Sequence, residues 1–316
     1  MLMKMGIKRG VNLGGWLSQC DYSEERLQGF ITEKDIETIA SWGLDHVRIP
    51  VDYNVVQTEE GEYKEEGFRL LEKAFGWCEK HGLKVVLDLH KTKGYSFDKG
   101  EKQAGFFDDE GLQERFICLW EEFARRYGDR HDLIVFELLN EVTEERFSPI
   151  WNGIIRRTME RIRKIAPDTI VLVGSYWNNS AASVHALEKP YDDKVVYNFH
   201  SYDPLLFTHQ GAPWVDGMDV NFRQSFEEAA LEEDYFEKFF AQAIEKAKEN
   251  GTVLYCGEYG VIDRAQPEDA VKWFRMIHQT FEKHGIARAA WSYKEMDFGI
   301  SDARMDGVRE ELLKYL

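Results

Sequence analysis

Leu133-Ile134-Val135-Phe136-Glu137-Leu138-Leu139-Asn140-Glu141 is nearly continuous in its apolar residues and ends abruptly in an amide and a carboxylate. A strand with one face in water alternates apolar and polar residues. A run without alternation suits a strand covered on both faces, as in a parallel sheet whose crossovers are helices. Seven further runs of this kind recur along the chain: Lys8–Leu13, His46–Pro50, Lys84–Leu89, Thr169–Gly174, Lys194–Phe199, Thr252–Gly257 and Ala287–Ser292. Between them lie stretches with helical periodicity: Glu33–Trp42, Gly67–His81, Leu112–Tyr127, Ile150–Ile165, Asp234–Lys248 and Glu268–His284. Strand and helix alternate, and eight such units close most simply into an α/β fold, a (β/α)8 TIM barrel, expected to form a single catalytic domain over residues 1–316. Thr32 opens a capping-box pattern, and Gly43 and Gly82 follow the ends of two helices. The longest irregular piece, 207–233, follows the sixth strand and is expected to shape a site.

Composition narrows the partners. With 57 acidic against 40 basic residues the net charge is -17, which repels phosphate backbones and anionic lipid, so neither nucleic acid nor membrane is an expected partner. No run approaches a membrane span of about 20 residues. Cys20, Cys78, Cys118 and Cys256 are widely spaced and are expected to be free thiols. Met1–Gly10 has no apolar core of a signal peptide, so the expectation is either a cytoplasmic protein or a secreted one that has lost its signal. The chain is expected to act as a monomer.

In a barrel of this kind, working residues sit at the C-terminal ends of strands. In strand order those ends read Asn12, Arg48, His90, Asn140-Glu141, the Trp177 region, His200 with Tyr202, Glu258 and Trp291. Two glutamates on separate strands are what glycoside hydrolysis needs: one protonates the leaving oxygen, the other attacks the anomeric carbon or activates water. Arg48 near Glu258 would hold that carboxylate ionised, whereas Glu141, beside Leu139 and facing a second carboxylate, would hold its proton to higher pH. Asn140 is placed to bond a sugar 2-hydroxyl; Tyr202 and His200 are placed to orient Glu258 and Glu141 respectively. Glu137, four residues before Glu141 and roughly 13 Å deeper, is expected to be a buried paired carboxylate or a barrel-bottom residue, too far to share the site.

Arg-Gly-Val-Asn-Leu-Gly-Gly-Trp (9–16), Val-Arg-Ile-Pro (47–50), Leu-Asp-Leu-His (87–90), Leu-Leu-Asn-Glu (138–141), His-Ser-Tyr (200–202), Gly-Glu-Tyr-Gly (257–260) and Trp291 follow one another in register. Together they make the chain resemble glycoside hydrolase family 5, the cellulase family, and in style its clostridial endo-β-glucanases. The resemblance implies Glu141 as acid/base and Glu258 as nucleophile, with Arg48, His90, Asn140, His200, Tyr202 and Trp291 around the sugar at the cleavage point. Against those relatives the region after the sixth strand reads as shorter.

Of nine tryptophans, Trp42, Trp77, Trp120 and Trp273 fall on helices and are expected to pack on the barrel. Trp16, Trp177 and Trp214 in loops join Trp291 as candidate sugar platforms, since aromatic faces stack on apolar pyranose faces. His209 is divided between loop packing and substrate contact; the remaining histidines outside strand ends are expected to be structural. No HExxH or similar ligand cluster is present, so neither a metal nor a cofactor is expected. The leading expectation is a retaining endo-β-glucanase acting on β-1,4 or mixed β-1,3-1,4 glucan, polymeric or oligomeric, by double displacement. The alternatives are a β-mannanase, or an exo-acting β-glucosidase or 1,3-glucanase, with the same carboxylates. A silent glycan-binding barrel would be expected to lack one glutamate. A phosphosugar isomerase would need a Gly-rich phosphate loop where Glu-Tyr-Gly and Trp-Ser-Tyr-Lys stand.

Overall fold

The computed structural model describes residues 1–98 and 104–316. Eight parallel strands pair in chain order, and the last returns to the first: β1 Arg9–Asn12, β2 His46–Asp52, β3 Lys84–Lys91, β4 Ile134–Glu137, β5 Val171–Val173, β6 Val195–Ser201, β7 Leu254–Tyr259 and β8 Ala287–Ala290 close a barrel. Each lies within, or within two residues of, an expected run. Six crossovers carry the anticipated helices, Glu33–Ser41, Glu65–Lys80, Glu110–Tyr127, Ser148–Ile165, Tyr235–Glu249 and Pro267–His284. Thr32 caps the first: its backbone N–H and its hydroxyl both donate 2.8 Å bonds to Asp35. Gly43 and Gly82 adopt φ of 75° and 73°, the left-handed conformation that ends a helix at little cost for a residue without Cβ. The fifth crossover departs from the pattern, holding only Tyr176–Asn179 and the 3-10 turn Ala181–Ala186.

Side chains alternate across each strand, so every second residue faces the barrel axis. The interior is therefore layered. At the bottom, Val86, Val135, Leu172, Val196, Tyr255, Ala287 and Ala289 form an apolar plug, closed from below by Leu2 and Ile7 at the chain start. Two residues further along several strands stand Asn12, Arg48, Asp88, Glu137 and Asn198, all fully buried. Above them His90, Glu141, His200, Glu258 and Trp291 reach the open end. A register shift between Phe199 and His200 sets His200 opposite Glu258, so both side chains point inward at the same level. The outer core lies between sheet and helices, where Trp120 and Trp273 are fully buried and Trp42 and Trp77 half-buried, as expected for helical tryptophans. All four cysteines are free, and among the described residues no helix is long and apolar enough to cross a membrane.

Candidate active site

A cleft of about 830 Å³ occupies the C-terminal mouth of the barrel, with Glu141 and Glu258 in its wall. Of the expected residues, His90, Trp177, His200, Tyr202, Trp214 and Trp291 line it, and His209 does so too. Arg48 and Asn140 lie just beneath, buried.

Arg48 organises that floor. Its Nε and Nη2 donate to the two oxygens of Glu137 at 2.7 and 2.8 Å, Nη1 to Glu258 Oε1 at 2.8 Å and to Asn12 Oδ1 at 2.9 Å, and Nη2 to Asn140 Oδ1 at 2.7 Å. All five guanidinium N–H groups are thereby used. Of the two expectations for Glu137, the buried paired carboxylate is the one found, but its distance from the site is not. One guanidinium group bonds both Glu137 and Glu258, so the two carboxyls flank the same cation and Glu137 is not too far to share the site. Asn140, its oxygen taken by Arg48, keeps its amide N–H groups as the donors it can offer.

The two glutamates stand in different surroundings. Glu258 receives Arg48 on one oxygen and the Tyr202 hydroxyl on the other at 2.8 Å. Burial first, and the neighbouring carboxylates next, push the Tyr202 phenol well above its ordinary range, so it stays a donor. Glu141 shares a 2.8 Å hydrogen bond with His200 Nδ1 through one oxygen and receives Asn178 Nδ2 on the other at 2.7 Å. Burial raises its carboxyl to about 7, outweighing the opposing pulls of Asn178 and Arg48. Burial likewise lowers His200 to about 4, leaving the ring neutral. Glu141, His200 and Glu258 offer ligand atoms within 4.8 Å of one another, close enough to hold an ion. Each carboxyl oxygen there is already hydrogen-bonded within the protein, to His200, Asn178, Arg48 or Tyr202.

The aromatic wall is uneven. Trp291 stacks parallel to His90, 5.9 Å between centroids and 3° between planes. His209, which burial lowers to about 4, sits edge-on to Tyr202 at 4.9 Å and to Trp214 at 6.3 Å. Trp177 is 54% exposed and Trp214 42%. Trp16 does not join them: it is 1% exposed, its indole donating to Leu27 O at 2.9 Å. The chain after β1 folds back beneath helix Glu24–Gly29, so this candidate platform is a core residue. Sequence reasoning missed Asn178, Tyr95, Phe97, Asp88 and Phe298. Tyr95 donates to Glu141 O at 2.8 Å; Phe97 and Phe298 line the cleft.

Asn178 reaches Glu141 through an unusual backbone. Trp177, Asn178 and Asn179 all adopt left-handed φ, 51°, 52° and 59°. Bonds from Trp177 N to Thr143 O and from Asn178 N to Val142 O tie the turn to the chain after β4. Non-glycine residues in this region cost about 1 kcal/mol or more each, and such strain clusters at functional sites. The double asparagine after the fifth strand was the available signal, since asparagine tolerates this conformation best.

Two carboxyls facing each other in an aromatic-walled cleft, at the strand ends of a (β/α)8 barrel, are the equipment of a glycoside hydrolase. Residues 9–297 match the family model described as Cellulase (glycosyl hydrolase family 5), and the chain belongs to that family. Cellodextrinase A of Ruminococcus flavefaciens is 56% identical over 288 residues, 91% of this chain and 86% of that protein. Endoglucanase C of Acetivibrio thermocellus is 37% identical, covering 99% of this chain and 98% of its own. The structure of Thermotoga maritima Cel5A in complex with a mannotriose substrate superposes with a TM-score of 0.83 at 25% identity, over 99% of this chain and 98% of that one. The protein is thus a glycoside hydrolase of the endo-β-1,4-glucanase type, with a carbohydrate substrate.

Proposed function

We propose that the chain cleaves β-1,4-linked glucan internally with net retention, Glu258 attacking the anomeric carbon and Glu141 protonating the leaving oxygen. The observation that carries this reading is the separation: one oxygen of Glu141 lies within 4.8 Å of one oxygen of Glu258, with no room between them for the wider spacing of an inverting pair. Carboxyls about 5–5.5 Å apart belong to double displacement, and about 6.5–9.5 Å is needed to admit a water between sugar and base. In the first step a bond forms between Glu258 and C1 while the C1–oxygen bond breaks and Glu141 gives up its proton. In the second, Glu141 removes a proton from water as that water displaces Glu258. A carboxyl raised to about 7 suits both halves. Arg48 and Tyr202 orient the nucleophile; His200 and Asn178 orient the acid. The identity to a protein named cellodextrinase favours short, soluble cello-oligosaccharides among the substrates. A second reading, β-mannan, rests on the likeness to an enzyme solved with mannotriose.

The test uses the protein with Glu141→Gln and Glu258→Gln on carboxymethylcellulose, barley mixed-linkage glucan, mannan and cellopentaose, following reducing ends and product sizes, with NMR of the newly formed anomer. Mixed glucan oligomers of β configuration, lost by orders of magnitude in both variants, are the expected result. An initial α product sinks the retaining mechanism; glucose alone, or activity on mannan alone, replaces the substrate assignment.

A further inference from the structure

Asp88 lies two residues before His90 on β3, so both side chains face the barrel axis, Asp88 one layer below. Asp88 is fully buried. Its Oδ2 stands 2.5 Å from His90 Nδ1 and 3.0 Å from Arg48 Nη2. Arg48 has no N–H left for it: all five are aimed at Glu137, Asn12, Glu258 and Asn140. Asp88 Oδ1 has no partner among the described residues. Burial pushes the Asp88 carboxyl up and the adjacent Arg48 cation pulls it back; as a carboxylate without a donor it costs several kcal/mol, and among the described residues the N–H left within reach is that of the imidazole. With Asp88 ionised beside Arg48, the proton of His90 sits on Nδ1. That leaves Nε2 as a bare lone pair on a ring that lines the cleft.

We propose that Asp88 is a positioning residue: it locks His90 in the Nδ1–H tautomer, so that Nε2 accepts a hydrogen bond from a hydroxyl of the bound sugar and can never donate one. The inference rests on the proposed glucan-cleaving function for the identity of that sugar. Two further contacts hold the ring plane, Trp291 parallel to it and Phe97 edge-on at 4.9 Å. The neutral state is secure as well, because burial, ahead of the surrounding charges, lowers His90 to about 3. A hydroxyl pinned as donor to His90 turns its own lone pairs towards donors elsewhere in the cleft. The tautomer thereby selects hydroxyl orientation rather than hydroxyl presence alone.

Ring nitrogens are read directly in ¹⁵N-labelled protein by long-range ¹H–¹⁵N correlation, with His90→Gln used to assign the signals. The expected wild-type spectrum has a protonated Nδ1 and a bare Nε2, unchanged between pH 5 and 8, and cellobiose moves the Nε2 signal while leaving Nδ1 in place. Asp88→Asn is expected to keep this pattern. Its carbonyl must take the Oδ2 position, since an NH2 group there would confront Arg48 Nη2. Asp88→Leu is expected to lose the preference and to lower kcat/KM on cellotetraose by about tenfold or more, the scale of one buried hydrogen bond. A protonated Nε2 in the free protein, an Nε2 signal indifferent to cellobiose, or an Asp88→Leu protein with unchanged tautomer and rate each overturns the proposal. If Asp88→Leu does not fold, the wild-type and Asp88→Asn spectra decide alone. Inactivity of the wild type on every glucan would sink the proposed function, while the spectrum of the free protein still decides the tautomer.

Discussion

Replacing Asn178 by glycine should move the alkaline limb of the pH profile upwards. As the proposed acid, Glu141 must hold its proton, so kcat/KM falls as pH rises through its pKa in the free enzyme, which burial sets at about 7. Asn178 donates a 2.7 Å bond to Glu141 Oε2, and a donor favours the ionised form, holding the pKa below what burial alone would give. Hydrogen bonds to charged groups are worth about 1.5–3 kcal/mol, or about 1–2 pH units at 1.36 kcal/mol per unit. Asn178 is exposed at the cleft, so water replaces much of the lost bond. A shift of about 0.5–1 unit upwards remains after that discount. Glycine is the right replacement because Asn178 stands at φ 52°, ψ 46°, where alanine would add strain. The assay is kcat/KM on an aryl cellobioside from pH 4 to 9 for both proteins. The plateau can drop if Asn178 also touches substrate, but the position of the limb is independent of that loss. A limb that moves down, or does not move, refutes the electrostatic account of Glu141; a wild-type limb far from 7 refutes it at the outset.

The same burial should make Glu141 a liability to stability. A carboxyl raised from 4.5 to about 7 contributes nothing unfavourable below pH 4.5 and its full penalty above 7, up to about 3 kcal/mol. Glu141→Gln is therefore expected to stabilise the fold at pH 8 and hardly at all at pH 4, as urea denaturation would read; a gain independent of pH contradicts this. Arg48→Gln should cost about 3–5 kcal/mol, because Asp88 and Glu137 are left buried without their cation. A loss under about 1 kcal/mol in the same denaturation would show that the carboxylates are accommodated in some other way. Trp16→Ala should lose about 3–5 kcal/mol from the core with KM on cellotetraose unchanged. Trp177→Ala should do the reverse, holding stability within about 0.5 kcal/mol while KM rises several-fold. An exchange of those two outcomes would restore Trp16 as the platform.

What was legible in the chain, and what was not, follows from the range of the interactions involved. The eight strands show because a strand buried on both faces must be apolar along its length, a constraint written locally in Lys84–Leu89 or Leu133–Leu139. The site residues show because the barrel puts function where those runs end, so Arg48, His90, Glu141, His200 and Glu258 stand out as polar interruptions. Trp16 and Trp177 are both loop tryptophans following a strand, and nothing local separates them. Their fates diverge through contacts with Leu27 in one case and with Val142 and Thr143 in the other. The fifth crossover escaped for a related reason, since a left-handed turn is ordinarily announced by glycine, whereas Trp177, Asn178 and Asn179 adopt it here, the first two held by backbone bonds to the chain after β4. Glu137 shows the limit of counting along one strand. Strand rise measures separation along that strand alone, whereas one guanidinium group from another strand bonds both carboxylates, so the charge that orients Glu258 in the cleft is balanced from below by Glu137. Substitutions in that hidden layer should accordingly change the behaviour of the glutamates above them without touching the substrate.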